Sequence, residues 1–265
     1  MLSDGRVKFL AAKKRRRVLI RVSQISILIL TLVLWEGLAR AGVIDSFIMS
    51  QPARILRTIL NWQNNNLPLH IGVTFFETII GFTLGALLGI FIAFVLWWSD
   101  VLAKIADPYL VVLNALPKIA LGPVIIIWVG AGMQAVIVMA LAISLIVTVM
   151  EMLNGFKNAD PEFVKMAKTF GASRLQIFTK VIFPFNLSTL FNCLKINIGL
   201  SLVGVIAGEF LVSRAGLGYL IVYGGQVFQM DLVMTSVIIL AVLAALLYRA
   251  VALLETAVMR AVRHR

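Results

Sequence analysis

The strongest constraint on this chain is a stretch without charge. Between Lys118 and Glu151 lie 32 consecutive residues with no Asp, Glu, Lys or Arg, and a second uncharged run reaches from Thr78 to Ser99. A helix needs about 20 mostly apolar residues to cross ~30 Å of hydrocarbon. Runs of this length are therefore written for lipid, not for the half-wet surface of a soluble domain. Composition agrees: the 265 residues are 61% hydrophobic and 14% charged, with a mean hydropathy of +0.99, whereas soluble domains carry about a quarter charged residues. A soluble enzyme, a disordered chain and a coiled coil are excluded. The expected class is all-α, a polytopic membrane protein.

The crossings follow by arithmetic. The first spans roughly 18–38, with Arg21 and Glu36 near its ends. A polar stretch, 40–70, follows, in which Pro52 to Trp62 reads as a short amphipathic helix. The second crossing is 71–98. The 32-residue run is too long for one helix and too short for two, and Gly130-Ala131-Gly132 marks a turn within it. The third crossing must then begin before Lys118, near Pro108, which places Lys118 in the membrane, and the fourth runs from about 134 to 152. Residues 153–184 are polar and amphipathic. A fifth crossing, about 186–208, and a sixth, about 232–252, complete six.

Charge sets the expected orientation. Eight basic residues precede residue 22, Arg249, Arg260, Arg263 and Arg265 close the chain, and 153–184 adds Lys157, Lys165, Lys168, Arg174 and Lys180. The other side has only Arg40, Arg54, Arg57 and Arg214. The positive-inside rule places both termini and 153–184 in the cytoplasm of a bacterial-type plasma membrane protein. It also accounts for the net charge of +12 without invoking nucleic acid. The apolar run of 22–35 lacks a small-x-small cleavage site and is expected to stay as an anchor. The single cysteine, Cys193, allows no internal disulfide and reads as a packed thiol. Gly81, Gly85 and Gly89 recur every four residues, the spacing of a close helix-packing seam.

Residues 160–185 predict two short helices. Pro161 stands at a favoured first position after a capping Asp160, and Gly171 suits a helix C-terminus. Ser173 caps the second helix, which places Leu175, Phe178 and Ile182 on one face before Pro184. Such a bent pair can dock into a groove on another protein or lie on the lipid surface; the pattern alone fits both.

This segment resembles the EAA loop of ABC-importer permeases, whose pattern is E-A-A, three residues, Gly, then about nine residues and a hydrophobic-x-Leu-Pro. Ala167, Gly171, Ile182 and Pro184 match it, while Lys165, Met166 and Phe183 depart from it. Leu116-Pro117-Lys118-Ile119-Ala120-Leu121-Gly122-Pro123 with Ile127-Trp128-Val129-Gly130 is similar to the nitrate/sulfonate/taurine branch. So is Gly204-Val205-Ile206-Ala207-Gly208-Glu209-Phe210 with Gly216-Leu217-Gly218-Tyr219. Glu77 stands where that branch usually carries an Arg. The resemblance implies a type I (MetI-like) transmembrane fold, with a basic cytoplasmic tail at 1–17, a first helix and extracytoplasmic segment at 18–69, a core at 70–254 and a basic tail at 255–265.

The resemblance further implies partners. These are a second, identical permease copy, two cytoplasmic ATP-binding subunits and an extracytoplasmic solute-binding protein. No cofactor is expected in this chain, which has no G-x-x-x-x-G-K-[ST] loop; ATP and Mg belong to the ATPase, and this chain is no enzyme. ATPase coupling falls to Pro161, Lys165, Ala167, Gly171, Ala172, Ser173 and Pro184, with Ala167 and Ala172 expected to press against the ATPase groove. The cargo is a small solute: a sulfonate, nitrate or taurine-like anion, or else a heterocyclic vitamin precursor. A secondary transporter is the alternative from another class, although the acidic residues cluster near helix ends rather than at mid-membrane.

Ionisable groups inside a membrane cost at least ~2.5–3.5 kcal/mol unless paired or wet, and so mark candidate pathways. Lys118, Asn114, Asn197 and Glu209 are the candidates here. Lys118 either attracts an anionic solute or pairs with Glu77 or a neighbour. Lys195 is expected to snorkel to the cytoplasm. Glu209 lies about 21 Å along the same helix from Lys195, where it is expected to bond backbone or a basic group. Glu36 and Glu77 are expected near the outer interface.

Overall fold

The computed structural model describes the backbone of residues 4–263 and the side chains of 13–262. Expectations resting on Arg6, Lys8, Arg263, His264 and Arg265 lie outside the described side chains. Among the described residues the fold is all-α, with no strand. The helices are α1 (Asp4–Arg40), α2 (Ser46–Met49), α3 (Pro52–Leu60), α4 (Leu67–Trp98), α5 (Asp100–Ala115), α6 (Gly122–Val129) and α7 (Met133–Lys157). Then come α8 (Pro161–Thr169), α9 (Arg174–Ile177), α10 (Phe183–Phe185), α11 (Leu187–Val212), α12 (Leu217–Gln226) and α13 (Met230–Arg263). Five helices are long and apolar enough to cross a membrane: α4, α7, α11 and most of α1 and α13.

The third crossing differs from the expected straight helix. It is broken: α5 and the segment Lys118–Val129 meet at 86°. The expected start near Pro108 falls inside α5, which reaches back to Asp100. Pro117 explains the break. A residue before proline is pushed out of the helical region, and Leu116 is extended at φ −62°, ψ 137°. A single 3₁₀ turn, Lys118–Leu121, then starts the second leg. Lys118 therefore sits at a corner rather than mid-helix. The terminal helices continue through the basic ends: α1 begins at Asp4 and α13 ends at Arg263, as the good helix propensity of Lys and Arg allows.

Helix α7 is the centre of the bundle. On one side its Ala140, Ser144 and Thr148 face Gly81, Gly85 and Gly89 of α4. A Cβ added to these glycines would lie 2.7 Å from Ala140 Cβ, 2.5 Å from Ser144 Oγ and 2.5 Å from Thr148 Cγ2. On the other side, a Cβ on Gly204 or Gly208 of α11 would lie 2.5 Å from Ala140 Cα or 2.8 Å from Val136 Cα. The four-residue glycine spacing is thus the packing seam its sequence predicts, and hydrogen replaces side chain wherever backbones meet. Cys193 is buried beside the same helices, as expected.

Helix α3 forms from the predicted amphipathic stretch and buries Ile55. Glu36 of α1 accepts from the Ala53 amide at 3.0 Å and pairs with Arg40 at 2.7 Å. Asp231 at the start of α13 takes Arg54 at 2.8 Å and the Ser50 hydroxyl at 2.7 Å. These bonds strap α3 across the end of the bundle opposite residues 153–184.

Candidate functional site

Two regions carry the sequence candidates, one at each end of the bundle. At the first end, α8 begins where expected: Asp160 accepts from the Glu162 amide at 2.9 Å and Pro161 takes the first turn. It stops at Gly171, which adopts φ +75°. The Gly171 amide donates to Lys168 O at 2.9 Å and the Ala172 amide to Ala167 O at 3.1 Å, which satisfies the carbonyls that a helix end leaves free. Ser173 and Gln176 then form a reciprocal capping box, 3.3 Å and 2.8 Å, that opens α9.

The second short helix does not end before Pro184. It passes through a π turn, Phe178–Ile182, into α10 and almost directly into α11. A proline ring clashes with the carbonyl four residues back in a regular helix. The wider turn, closed by the Phe183 amide donating to Phe178 O, makes room for it. Phe178 and Ile182 are buried as one face, but Leu175 is 54% exposed and does not join them. Phe178 sits among Phe94, Trp97 and Phe156 at centroid distances of 4.6, 5.0 and 5.1 Å. The Arg174 guanidinium lies 5.5 and 5.4 Å from the ring centres of Trp97 and Trp98, a cation–π clamp that holds α9 to the end of α4.

Ala167 and Ala172 are half-buried against this chain's own apolar cluster of Phe156, Ile177 and Phe178, so they seat the two helices on the bundle. Pro161, Lys165, Gly171, Ser173 and Pro184 are exposed. The outward face consists of Phe163, Met166 and Phe170, exposed by 51%, 51% and 83%. Sequence reasoning passed over these three, although their i, i+3, i+7 spacing is the signature of an apolar helix stripe.

At the opposite end, Glu209 holds the start of α12. Thr74 donates its hydroxyl to Glu209 Oε1 at 2.6 Å, and the Gly218 amide donates to Oε2 at 2.5 Å. The Leu217 amide donates to Thr74 Oγ1 at 2.8 Å and the Gly216 amide to His70 Nδ1 at 2.9 Å. Three free amides of a helix N-terminus are thereby satisfied by α4 and α11. A Cβ on Gly218 would lie 2.7 Å from Glu209 Oε2, which is why glycine stands there. Glu209 thus bonds backbone, one of its two expected partners.

Glu77 lies toward the same end of the bundle and is buried. It is 2% exposed and lies beside Glu209, and its Oε2 has no partner among the described residues. It does not pair with Lys118, whose ammonium instead donates to Asn114 O at 3.0 Å across the broken span. Asn114 is exposed and Lys118 half-buried. Asn197 is 1% exposed and donates to Thr148 Oγ1 at 2.5 Å, which places it within helix packing. Lys195 forms an ion pair with Glu255 of α13 at 2.5 Å. No sequence signal links Glu77 to Glu209 or Lys195 to Glu255, because each pair meets only through folding.

Comparison with known proteins accords with this architecture. The inward-facing MetNI methionine ABC transporter includes a chain with the same fold, at a TM-score of 0.65 and 20% identity over 72% of this chain and 95% of that one. A "Probable ABC transporter permease protein" of Haemophilus influenzae is 30% identical over 82% of this chain and 88% of its own length. The formylaminopyrimidine transport permease protein ThiX of Halalkalibacterium halodurans is 24% identical over 72% and 76%. The taurine transport system permease protein TauC of Escherichia coli is 24% identical over 88% and 86%. The family described as the binding-protein-dependent transport system inner membrane component matches residues 85–264. With two thirds of its length matched and a multi-pass helical bundle of the same fold, the chain belongs to that family and is the membrane permease of an ABC importer.

Proposed function

We propose that this permease couples to a separate ATPase through α8. The observation that carries the reading is the Phe163–Met166–Phe170 face, an apolar stripe on a short helix seated firmly on the bundle and turned away from it. Apolar helix faces of this kind fill grooves on partner proteins. On this reading ATP and Mg are bound by the ATPase, and residues 153–184 and both termini are cytoplasmic, in keeping with the distribution of Lys and Arg. A solute-binding protein delivers cargo to the opposite end, where α3 and α12 lie. The test is co-purification of ATPase with permease, with hydrolysis measured in reconstituted vesicles. An ATPase that binds equally well after residues 161–177 are replaced by a glycine-serine linker refutes it.

A second copy of the chain completes the pathway. The broken span supports this: Asn114, Lys118 and the backbone freed at Pro117 are polar groups that lipid cannot satisfy. A second permease copy and the water-filled path between the two would satisfy them. The cargo is a small solute. A taurine-like anion and a pyrimidine vitamin precursor both accord with the names of the relatives.

A further inference from the structure

Helix α3 carries an apolar arc wider than the bundle covers. Around its axis Ile55, Ile59, Pro52, Leu56, Leu60 and Ala53 follow one another, and Arg57, Asn61, Arg54 and Thr58 fill the remainder. Ile55 is buried and Ile59 half-buried, whereas Leu56 and Leu60 are 57% and 68% exposed. Trp62, just past the helix, is exposed as well. Three bonds fix the height of this arc. The Ala53 amide donates to Glu36 of α1 at 3.0 Å, one turn before α1 ends at Arg40. Arg54 pairs at 2.8 Å with Asp231 in the first turn of α13. At the far end of α3, the Leu67 amide that opens α4 donates to Trp62 O at 3.1 Å. Helix α3 is therefore tied near both ends to the same end of three membrane-length helices, and it lies along that end rather than rising away from it.

The side of α3 that meets α1 is the side that carries the open leucines. Ala53, Leu56 and Leu60 stand at i, i+3 and i+7, one stripe of a helix, and the first of them is the residue bonded to Glu36. Beside it α1 exposes Leu32, Val33 and Leu34, so the leucines extend an apolar surface that already belongs to a crossing. Arg57 borders them on the polar side, exposed and with no ion pair among the described residues. We infer that α3 is an interfacial helix that seats this end of the bundle in the phospholipid surface. Leu56, Leu60 and Trp62 enter the boundary between headgroups and acyl chains, Arg57 meets lipid phosphate, and Thr58 and Asn61 stay toward water. An apolar face with a basic border binds bilayers in this way, and tryptophan favours the headgroup level. A docked protein would instead have to share the leucines with the lipid around α1. The inference needs only that these helices cross a membrane, and it stands or falls separately from coupling through α8.

Nitroxide labels read the depth directly. Leu56→Cys, Leu60→Cys, Asn61→Cys and Asn64→Cys are each made in a Cys193→Ala background of the full chain. The labelled proteins are reconstituted in vesicles of phosphatidylethanolamine and phosphatidylglycerol. Collisions with oxygen, which concentrates in lipid, are compared with collisions with a water-soluble nickel chelate. The oxygen-to-nickel ratio at positions 56 and 60 is expected to exceed that at 61 and 64 about fivefold. All four side chains replaced are exposed, so the labels leave the packing of α3 intact, and two independent positions on each arc guard against one distorted site. A ratio at 56 and 60 within about twofold of the asparagine positions places the leucines in water and overturns the inference. Low collision rates with both reagents at 56 and 60 also overturn it, because the leucines are then covered by protein, as a second copy of the chain would cover them.

Discussion

Phe170 offers the sharpest test of coupling. It is 83% exposed, so its ring contributes almost nothing to the permease itself and keeps nearly all its surface for a partner. Full burial of a phenylalanine side chain is worth about 1.5–3 kcal/mol. If the ATPase groove covers the ring, Phe170→Ala should cost about 2 kcal/mol, or about 30-fold in affinity. The permease should melt as before, because surface truncations away from a core usually stay within ~0.5 kcal/mol. Ala167→Trp supplies the contrast. Ala167 is half-buried on the bundle side, so a large ring there must lift α8 off its seat and should weaken both ATPase binding and the thermal stability of the loop end. The assay is titration of purified ATPase onto permease in lipid nanodiscs, with melting followed in parallel. A Phe170→Ala variant that binds within about twofold of wild type would refute the reasoning, since no other residue on that face is as exposed.

Other expectations address the bundle. Gly204→Ala should destabilise it by about 1–3 kcal/mol, since the new methyl would press on Ala140 backbone; unfolding in detergent measures this. Lys195→Met or Glu255→Met alone should each cost about 3 kcal/mol by leaving a charge unpaired, and the double variant should recover much of the loss; comparison of the three melting points checks it. Asn158→Cys in a Cys193→Ala background should be labelled by an impermeant thiol reagent only in inverted vesicles, and labelling in sealed cells would reverse the proposed orientation. Lys118→Met should reduce solute uptake while leaving ATPase co-purification intact, and normal uptake would give Lys118 a role confined to bracing the Asn114 carbonyl.

Much of the fold was legible because lipid imposes a length and a composition on every crossing. The uncharged runs locate the spans, and Gly130-Ala131-Gly132 does separate the third from the fourth. Local signals were equally readable: the Asp160 and Ser173 caps and the left-handed Gly171 stand where their side chains, or lack of one, require. The break at Pro117 was legible in kind but not in angle, since an 86° corner depends on what α6 packs against. Which side of α8 faces outward was not legible, because Ala167 and Phe170 suit either side until the aromatic cluster under α9 is in place. Contacts such as Thr74 with Glu209 and the α12 amides depend on three helices meeting, and no pattern along one of them announces it.

The glycine seams have a kinematic consequence. Where glycines of α4 and α11 press directly on α7, little rotatable side chain lies between the helices to absorb sliding or rolling. The three helices behave as one solid wedge, and a transport cycle cannot be run by shearing them past one another. Articulation is left to the parts outside the wedge: the corner at Pro117, which joins two legs at a right-angle bend, and the peripheral α1, which touches the rest chiefly through α3. A push delivered at α8 passes through the clamp at Arg174 into the wedge as a whole, so the quantity transmitted is a tilt of a rigid body rather than a deformation of its interior.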